Sequence, residues 1–142
     1  MILEFELDVE PISVNKLYCN IPGQARRFIS TEGKKFKAEV GTLIRDKVVK
    51  DNLTPVISAL AGKPLQVFVQ VGLNSWLLKD GKTIRKKDID NTAKALLDTI
   101  FSTLGEFCEA IDDSQIWSLV QDKVISETPK VIVIISEHDT SL

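Results

Sequence analysis

The stretch Lys86–Gly105, KKDIDNTAKALLDTIFSTLG, decides the fold because it contains the clearest helix of the chain. Its apolar residues recur at spacings of three and four, as on one face of a helix, and Gly105 is a residue type that commonly ends one. The pattern predicts an amphipathic helix over residues 90–104, which needs a surface to pack against. The stripe consists of Ile89, Ala93, Leu96, Leu97, Ile100, Phe101 and Leu104.

Four runs of alternating or continuous apolar residues supply such a surface, because runs of this kind and length are typical of strands. Ser30 or Thr31 can cap a second helix that ends near Lys50, and Pro55 separates it from a helical turn over 56–60. Residues 11–23 are predicted to form a loop and 26–30 a short extended piece. We therefore expect an α+β fold, a single small domain over residues 1–142, with a mixed sheet of about four strands packed against two main helices. The strands are predicted over 2–9, 65–73, 115–125 and 131–135.

Composition limits the chemistry that is possible. No apolar run approaches the roughly 18 residues of a membrane span, and the alternating start predicts a strand, not a signal peptide. Cys19 and Cys108 lack metal-type spacing and are interpreted as reduced thiols of a cytoplasmic protein. The single histidine, His138, leaves little material for a zinc site or a Ser-His-Asp triad. If the chain is an enzyme, its chemistry rests on Asp, Glu, Lys and a metal.

Charge is segregated along the chain, although the net charge is only -2. Basic residues concentrate in 24–50 and 82–87, whereas 95–122 contains six acids and no Lys or Arg. Basic segments can contact phosphates and an acidic segment can hold a divalent cation; the alternative is an ordinary patchy surface. The predicted DNA-binding residues are Arg26, Arg27, Lys34, Lys35, Arg85, Lys86 and Lys87.

Two aspartates precede the helix stripe. In an extended segment Asp88 and Asp90 would point the same way and share a hard cation, with Ile89 turned to the core. On the helix, Asp90, Lys94 and Asp98 fall at i, i+4 and i+8 and line one face. The alternative is that Asp90 only caps the helix and pairs with Lys94, which leaves Asp88 unexplained.

A second acidic pair, Asp112-Asp113, stands at the start of the third predicted strand. Adjacent strand residues face opposite ways, so at most one of them joins the first pair; the alternative is a surface turn. Three converging carboxylates repel one another, and a Mg²⁺ ion that also binds phosphate oxygens would relieve that repulsion. Such a metal polarises a phosphoryl group and activates water, while Lys94 would stabilise the negative charge of the transition state.

KKDIDNTAK, followed by a helix and IDDSQIWSLVQDK, resembles the RusA-type Holliday junction resolvases of bacteria and their phages. The resemblance covers nearly the whole chain. It implies a homodimeric Mg²⁺-dependent endonuclease, with Mn²⁺ as a substitute, that resolves four-way and related branched DNA by paired symmetric nicks. It implies that Asp88, Asp90 and Asp113 are metal ligands and Lys94 the catalytic lysine, supported by Asn91, Asp98, Asp112 and Lys123. A C2 dimer would match the two-fold symmetry of a junction that needs two cuts.

Two other functions compete. A non-catalytic DNA-binding protein of phage or prophage origin, derived from the same fold, would bind through the basic segments but would not cut. A phosphotransfer enzyme acting on small nucleotides is disfavoured, because the sequence has no glycine-rich phosphate loop and we expect no nucleotide cofactor. Phe28 is a candidate for opening the centre of a junction by position only. Trp76 and Trp117 are assigned to the core or a dimer interface rather than to base stacking.

Overall fold

A computed structural model of the protein describes residues 1–20, 22–23, 25 and 27–141. Single 3₁₀ turns at Asn74–Trp76 and Asp113–Gln115 accompany the main elements. In chain order these are β1 (Ile2–Leu7), α1 (Val14–Leu17), β2 (Tyr18–Asn20), β3 (Arg27–Ile29), α2 (Thr31–Lys50), α3 (Thr54–Leu60), β4 (Leu65–Gly72), α4 (Ile89–Leu104), β5 (Ile116–Val124) and β6 (Lys130–Glu137).

The main sheet has the strand order β1-β6-β4-β5. β6 runs antiparallel to both β1 and β4, whereas β4 and β5 are parallel. Parallel neighbours cannot be joined by a tight turn and need a crossover, which here contains α4. The predicted α+β fold with a four-stranded mixed sheet is confirmed, and the crossover places α4 beside the edge strand β5.

The core lies between one face of the sheet and the two long helices, α2 and α4. Alternate residues of β1, β4 and β6 point into it, as the period of two along a strand requires. Phe5, Val69 and Val133, for example, are fully buried. α4 contributes its apolar stripe, with Leu96, Ile100 and Leu104 fully buried. The predicted packing of a sheet against two main helices is therefore confirmed.

The opposite face of the sheet is more open. Phe68 lies between Ile134 and Val120 in the strand register. Phe68 and Ile134 are half-buried and Val120 is 45% exposed. No helix of the described chain is long and apolar enough to cross a membrane.

The predicted loop over 11–23 is wrong in part, because it contains α1 and β2, and β2 pairs with β3 in a small hairpin. Tertiary contacts stabilise these short elements. The Ser30 hydroxyl donates to the Lys16 carbonyl at 2.6 Å and accepts from the Gly33 amide at 2.9 Å, so Ser30 is the N-cap of α2. A Cβ on Gly33 would lie 2.5 Å from the Leu17 carbonyl oxygen, so glycine allows this close approach.

Candidate active site

Helix α4 begins one residue earlier than the sequence predicts. Asp88 is its N-cap, with an extended backbone and no hydrogen bond from its side chain to the helix amides, and Ile89 is already helical. The expectation of an extended segment that points Asp88 and Asp90 the same way is therefore wrong. Asp90 lies in the first helical turn, where amides and the helix dipole favour an anion, and it is not the cap.

A groove of about 370 Å³ separates α4 from β5. Asp90, Lys94 and Asp98 line it from α4, at the predicted spacing of four residues. Asp113 lines it from the 3₁₀ turn that precedes β5. The structure thus brings two of the three predicted metal ligands and the predicted catalytic lysine to one groove, and Asp88 is exposed outside its lining. The remaining lining residues are Ala93, Leu97, Ile116, Leu119 and Gln121.

The two adjacent aspartates at 112 and 113 have different surroundings. Asp112 is the N-cap of the 3₁₀ turn, where its Oδ2 accepts from the Ser114 amide at 3.2 Å and from the Ser114 hydroxyl at 2.5 Å. These hydrogen bonds lower the pKa of Asp112. The Gln115 side chain completes the capping box by accepting from the Asp112 amide. The turn therefore occupies Asp112 and leaves Asp113 to face the groove.

Asp98 and Asp113 line the groove from α4 and from the 3₁₀ turn, and they interact there. Burial raises the pKa of the Asp98 carboxyl, and the charge and hydrogen bond of Asp113 raise it further. The charges of Lys94 and Lys37 act in the opposite direction. Two carboxylates held this close repel one another when both are ionised, so the site favours a cation or a shared proton between them.

Lys94 lines the same groove from α4, about one helical turn from both Asp90 and Asp98. The alternative in which Lys94 pairs with Asp90 is not seen, since no ion pair among the described residues includes Lys94. The ammonium group is therefore available to a ligand in the groove. A fixed positive charge beside a reacting phosphate stabilises the negative charge that develops there.

Gln121 also lines the groove, although it was not among the predicted site residues. Its Nε2 donates to Asp90 Oδ1 at 2.5 Å, while its Oε1 is buried and has no partner among the described residues. Period-two alternation along β5 is the signal that could have found it, because Leu119, Gln121 and Lys123 share the face toward α4. Lys123, a predicted supporting residue, donates from Nζ to the Lys87 carbonyl at 2.6 Å.

Trp76 lies beneath these lysines and is 4% exposed. Its indole nitrogen donates to the Val71 carbonyl at 2.9 Å. The Nζ atoms of Lys123 and Lys87 lie 4.5 and 5.6 Å from the centroid of its ring, within reach of cation–π attraction. The core assignment of Trp76 is confirmed, whereas Trp117 on β5 is 65% exposed.

The predicted DNA-binding residues lie on several elements. Arg26 lies outside the described residues. Arg27 on β3 is exposed, with its guanidinium 5.4 Å from the Tyr18 ring centroid, and Phe28 beside it is half-buried. A second groove, of about 470 Å³, is lined by Lys16, Lys35 and Lys87 together with three glutamates. Four other predicted DNA-binding residues are exposed: Lys34, Lys35, Arg85 and Lys86. Asn91, which was predicted to support the metal site, is also exposed.

The donor set of the first groove suits a hard divalent cation, because carboxylate oxygens are its preferred ligands and the contact of Asp98 with Asp113 carries a repulsion that a cation would offset. Within the described residues, however, no three Asp, Glu, His or Cys side chains are already grouped as a metal site. The chemistry of the residues fits a cation, and the side chains must move closer together to share one.

Comparison with known proteins agrees with these features. The sequence pattern of the family described as endodeoxyribonuclease RusA matches residues 8–136, which include every element from α1 to β5 and all the acids of the groove. No curated protein matches the chain significantly. The chain therefore belongs to the RusA endodeoxyribonuclease family, whose members are nucleases of the Holliday junction resolvase type that act on branched DNA.

Proposed function

We propose that this protein is a Mg²⁺-dependent endonuclease that resolves Holliday junctions and related branched DNA as a homodimer. The observation that carries the proposal is the convergence of Asp90, Asp98, Asp113 and Lys94 on one groove between α4 and β5. Carboxylates beside a lysine are the groups that metal-assisted phosphodiester hydrolysis uses. The proposed reaction needs no nucleotide cofactor.

The cation is assigned to Asp88, Asp90 and Asp113, and Mn²⁺ is expected to replace Mg²⁺. When bound, it would polarise the phosphoryl group and lower the pKa of a water molecule. Asp98 lines the same groove as Asp113, and Asp113 contributes to its raised pKa. Lys94, four residues after Asp90 on the same helical face, faces the phosphate and stabilises the charge of the transition state.

Charge on the two sides of the groove suggests the path of the DNA. On one side a neighbouring groove of about 540 Å³ is lined by Glu106, Glu109 and Asp112, which repel phosphates. On the other side Lys86, Lys87 and Lys123 lie near the start of α4. We infer that the DNA arms approach from the lysine side, with affinity that falls as salt rises. Junctions are then selected by shape and deformability.

The homodimer supplies the second cut. One chain carries one carboxylate groove, and a two-fold dimer carries two that match the symmetry of a four-way junction. The apolar centre of the open sheet face, formed by Phe68, Val120, Ile132 and Ile134, is a candidate contact surface. It lies on the other side of the sheet from α4, so contact there would leave both grooves accessible.

Cleavage of a synthetic four-way junction tests the proposal. We expect nicks at symmetric positions on two opposed strands with Mg²⁺ or Mn²⁺, none with EDTA, and less cutting of fork, flap and linear duplex. Light scattering should give the molar mass of two chains. A protein that binds the junction but never cuts it with either metal would instead support the non-catalytic DNA-binding alternative.

A further inference from the structure

Asp90 is held by a contact from a distant part of the chain. Gln121, on the edge strand β5, donates its amide Nε2 to Asp90 Oδ1, and the two residues are 31 positions apart in sequence. Asp90 itself is exposed at the first turn of α4. A carboxylate at such a position can rotate freely unless a partner orients it.

The direction of this hydrogen bond fixes which polar atom of the Gln121 amide faces Asp90. The amide nitrogen must face the carboxylate, since two oxygens would repel each other, so the Gln121 oxygen points elsewhere. That Oε1 atom is buried and accepts no hydrogen bond from any described residue. Buried polar atoms in folded proteins are almost always satisfied, so an unpartnered acceptor in a groove-lining residue indicates a missing donor.

A water molecule carried by the cation is a donor of the right kind. Mg²⁺ usually keeps several of its waters in protein sites, and these waters donate hydrogen bonds to nearby acceptors. An amide that holds a ligand carboxylate with one atom and a metal-bound water with the other would orient both. Residues that hydrogen-bond to a metal ligand, without binding the metal themselves, typically change metal affinity or activity by about 10–100-fold when they are mutated.

We propose that Gln121 is a positioning residue of the cation site, which orients Asp90 through Nε2 and accepts a hydrogen bond from a cation-bound water through Oε1. This inference rests on the proposed function, because it requires that Asp90 bind the cation. In this role Gln121 acts through Asp90 and a cation-bound water and does not itself bind the DNA. Its contribution is to the affinity for the cation and to the geometry of the carboxylate.

A matched control exists on the other face of the same strand. Gln70 on β4 donates its Nε2 to Asp122 Oδ2 at 3.0 Å, next to β5. This contact has the same chemistry as that between Gln121 and Asp90, joins neighbouring strands, and lies on the side of the sheet away from α4. Gln70 pairs in register with Ile132 of the candidate dimer surface, so light scattering must first show that Gln70→Met has the molar mass of the wild type. Loss of the contact should then change nothing at the cation site.

The experiment compares Gln121→Met with Gln70→Met, because methionine keeps the length of glutamine and removes both polar atoms. Mg²⁺ binding to the DNA-free protein is measured by titration calorimetry, and cleavage is measured across a range of Mg²⁺ concentrations. Gln121→Met should weaken Mg²⁺ binding by about 10–100-fold and shift half-maximal cleavage to higher Mg²⁺ to a similar extent. Junction binding in EDTA and the melting temperature should stay close to those of the wild type.

Gln121→Asn is the second variant if the methionine variant does not fold. It keeps an amide but is one carbon too short to reach Asp90, so the same loss is expected. Wild-type Mg²⁺ affinity in either folded variant, or an equal loss of affinity in Gln70→Met, would overturn the role of Gln121. Either result would leave the proposed function standing. A wild-type protein that binds no Mg²⁺ and cuts nothing would overturn the proposed function and this inference together.

Discussion

Two pairs of aspartates, Asp88 with Asp90 and Asp112 with Asp113, look alike in sequence but differ in their surroundings. Each pair begins a helical segment, the first at α4 and the second at the 3₁₀ turn before β5. In the second pair, Asp112 takes the hydrogen bonds of the turn and Asp113 faces the groove. In the first, Asp90 faces the groove, while Asp88 sits at the N-cap without a capping bond. The local turn therefore decides which carboxylate is free for chemistry.

The largest difference between the two members of a pair is expected in the second pair. Asp113→Asn should lower single-turnover junction cleavage by more than about 100-fold, because loss of a metal ligand exceeds the 10–100-fold typical of outer partners. Asp112→Asn should change the rate only a few-fold, since asparagine caps a turn about as well as aspartate. Junction binding in EDTA should survive in both variants.

Equal losses of cleavage in the two variants would contradict this division of roles. So would wild-type cleavage by Asp113→Asn, which would remove Asp113 from the site.

A graded effect is expected within the first pair. Asp90→Asn should abolish measurable cleavage, because Asp90 combines a place in the groove with the contact to Gln121. Asp88→Asn should lower cleavage by about 10–100-fold, since Asp88 lies outside the groove lining and reaches the cation only after the side chains draw together. The Mg²⁺ concentration for half-maximal cleavage should rise in Asp88→Asn. A larger loss in Asp88→Asn than in Asp90→Asn would reverse our ranking of the two residues.

The smallest effect concerns stability and compares Asp98 with Asp112. The folded state raises the pKa of Asp98 and therefore resists its ionisation, so stability falls as pH rises from the ordinary aspartate value of 3.8 through the raised value. Asp98→Asn should then raise the melting temperature of the metal-free protein by a few degrees at pH 7. The pKa of Asp112 is lowered, so its effect on stability is opposite to that of Asp98. The ionised carboxylate of Asp112 stabilises the fold above pH 3.8, and that contribution is lost as pH falls through the lowered pKa.

Thermal melts at several pH values with EDTA measure both effects. Asp112→Ala should melt slightly below the wild type at pH 7, and both differences should shrink below pH 3.8. Added Mg²⁺ should raise the wild-type melting temperature, as ligand linkage requires. A lower melting temperature for metal-free Asp98→Asn at pH 7 would contradict the repulsion between Asp98 and Asp113.

Much of the fold was predictable from local patterns. The stripe of α4 and the alternation in β1 and β4 identified elements within a residue or two of their observed ends, because burial on one face imposes a period on the sequence. The segment from α1 to β2 was missed, since its short elements depend on Ser30 and Gly33 of a different part of the chain. The first residue of α4 was also missed, because Asp88 and Asp90 are both acceptable at a helix start.

The sequence by itself determined which side chains share a face: Asp90, Lys94 and Asp98 on α4 follow from a helical period of 3.6 residues. Only the tertiary structure decided what that face meets. Because β4 and β5 are parallel, the chain between them must cross over, and α4 forms part of that crossover. The crossover places β5 and the turn before it beside α4, so that Gln121 contacts Asp90 and Asp113 lines the same groove. Periodicity acts within one element, whereas a contact between residues 31 positions apart depends on how the elements pack.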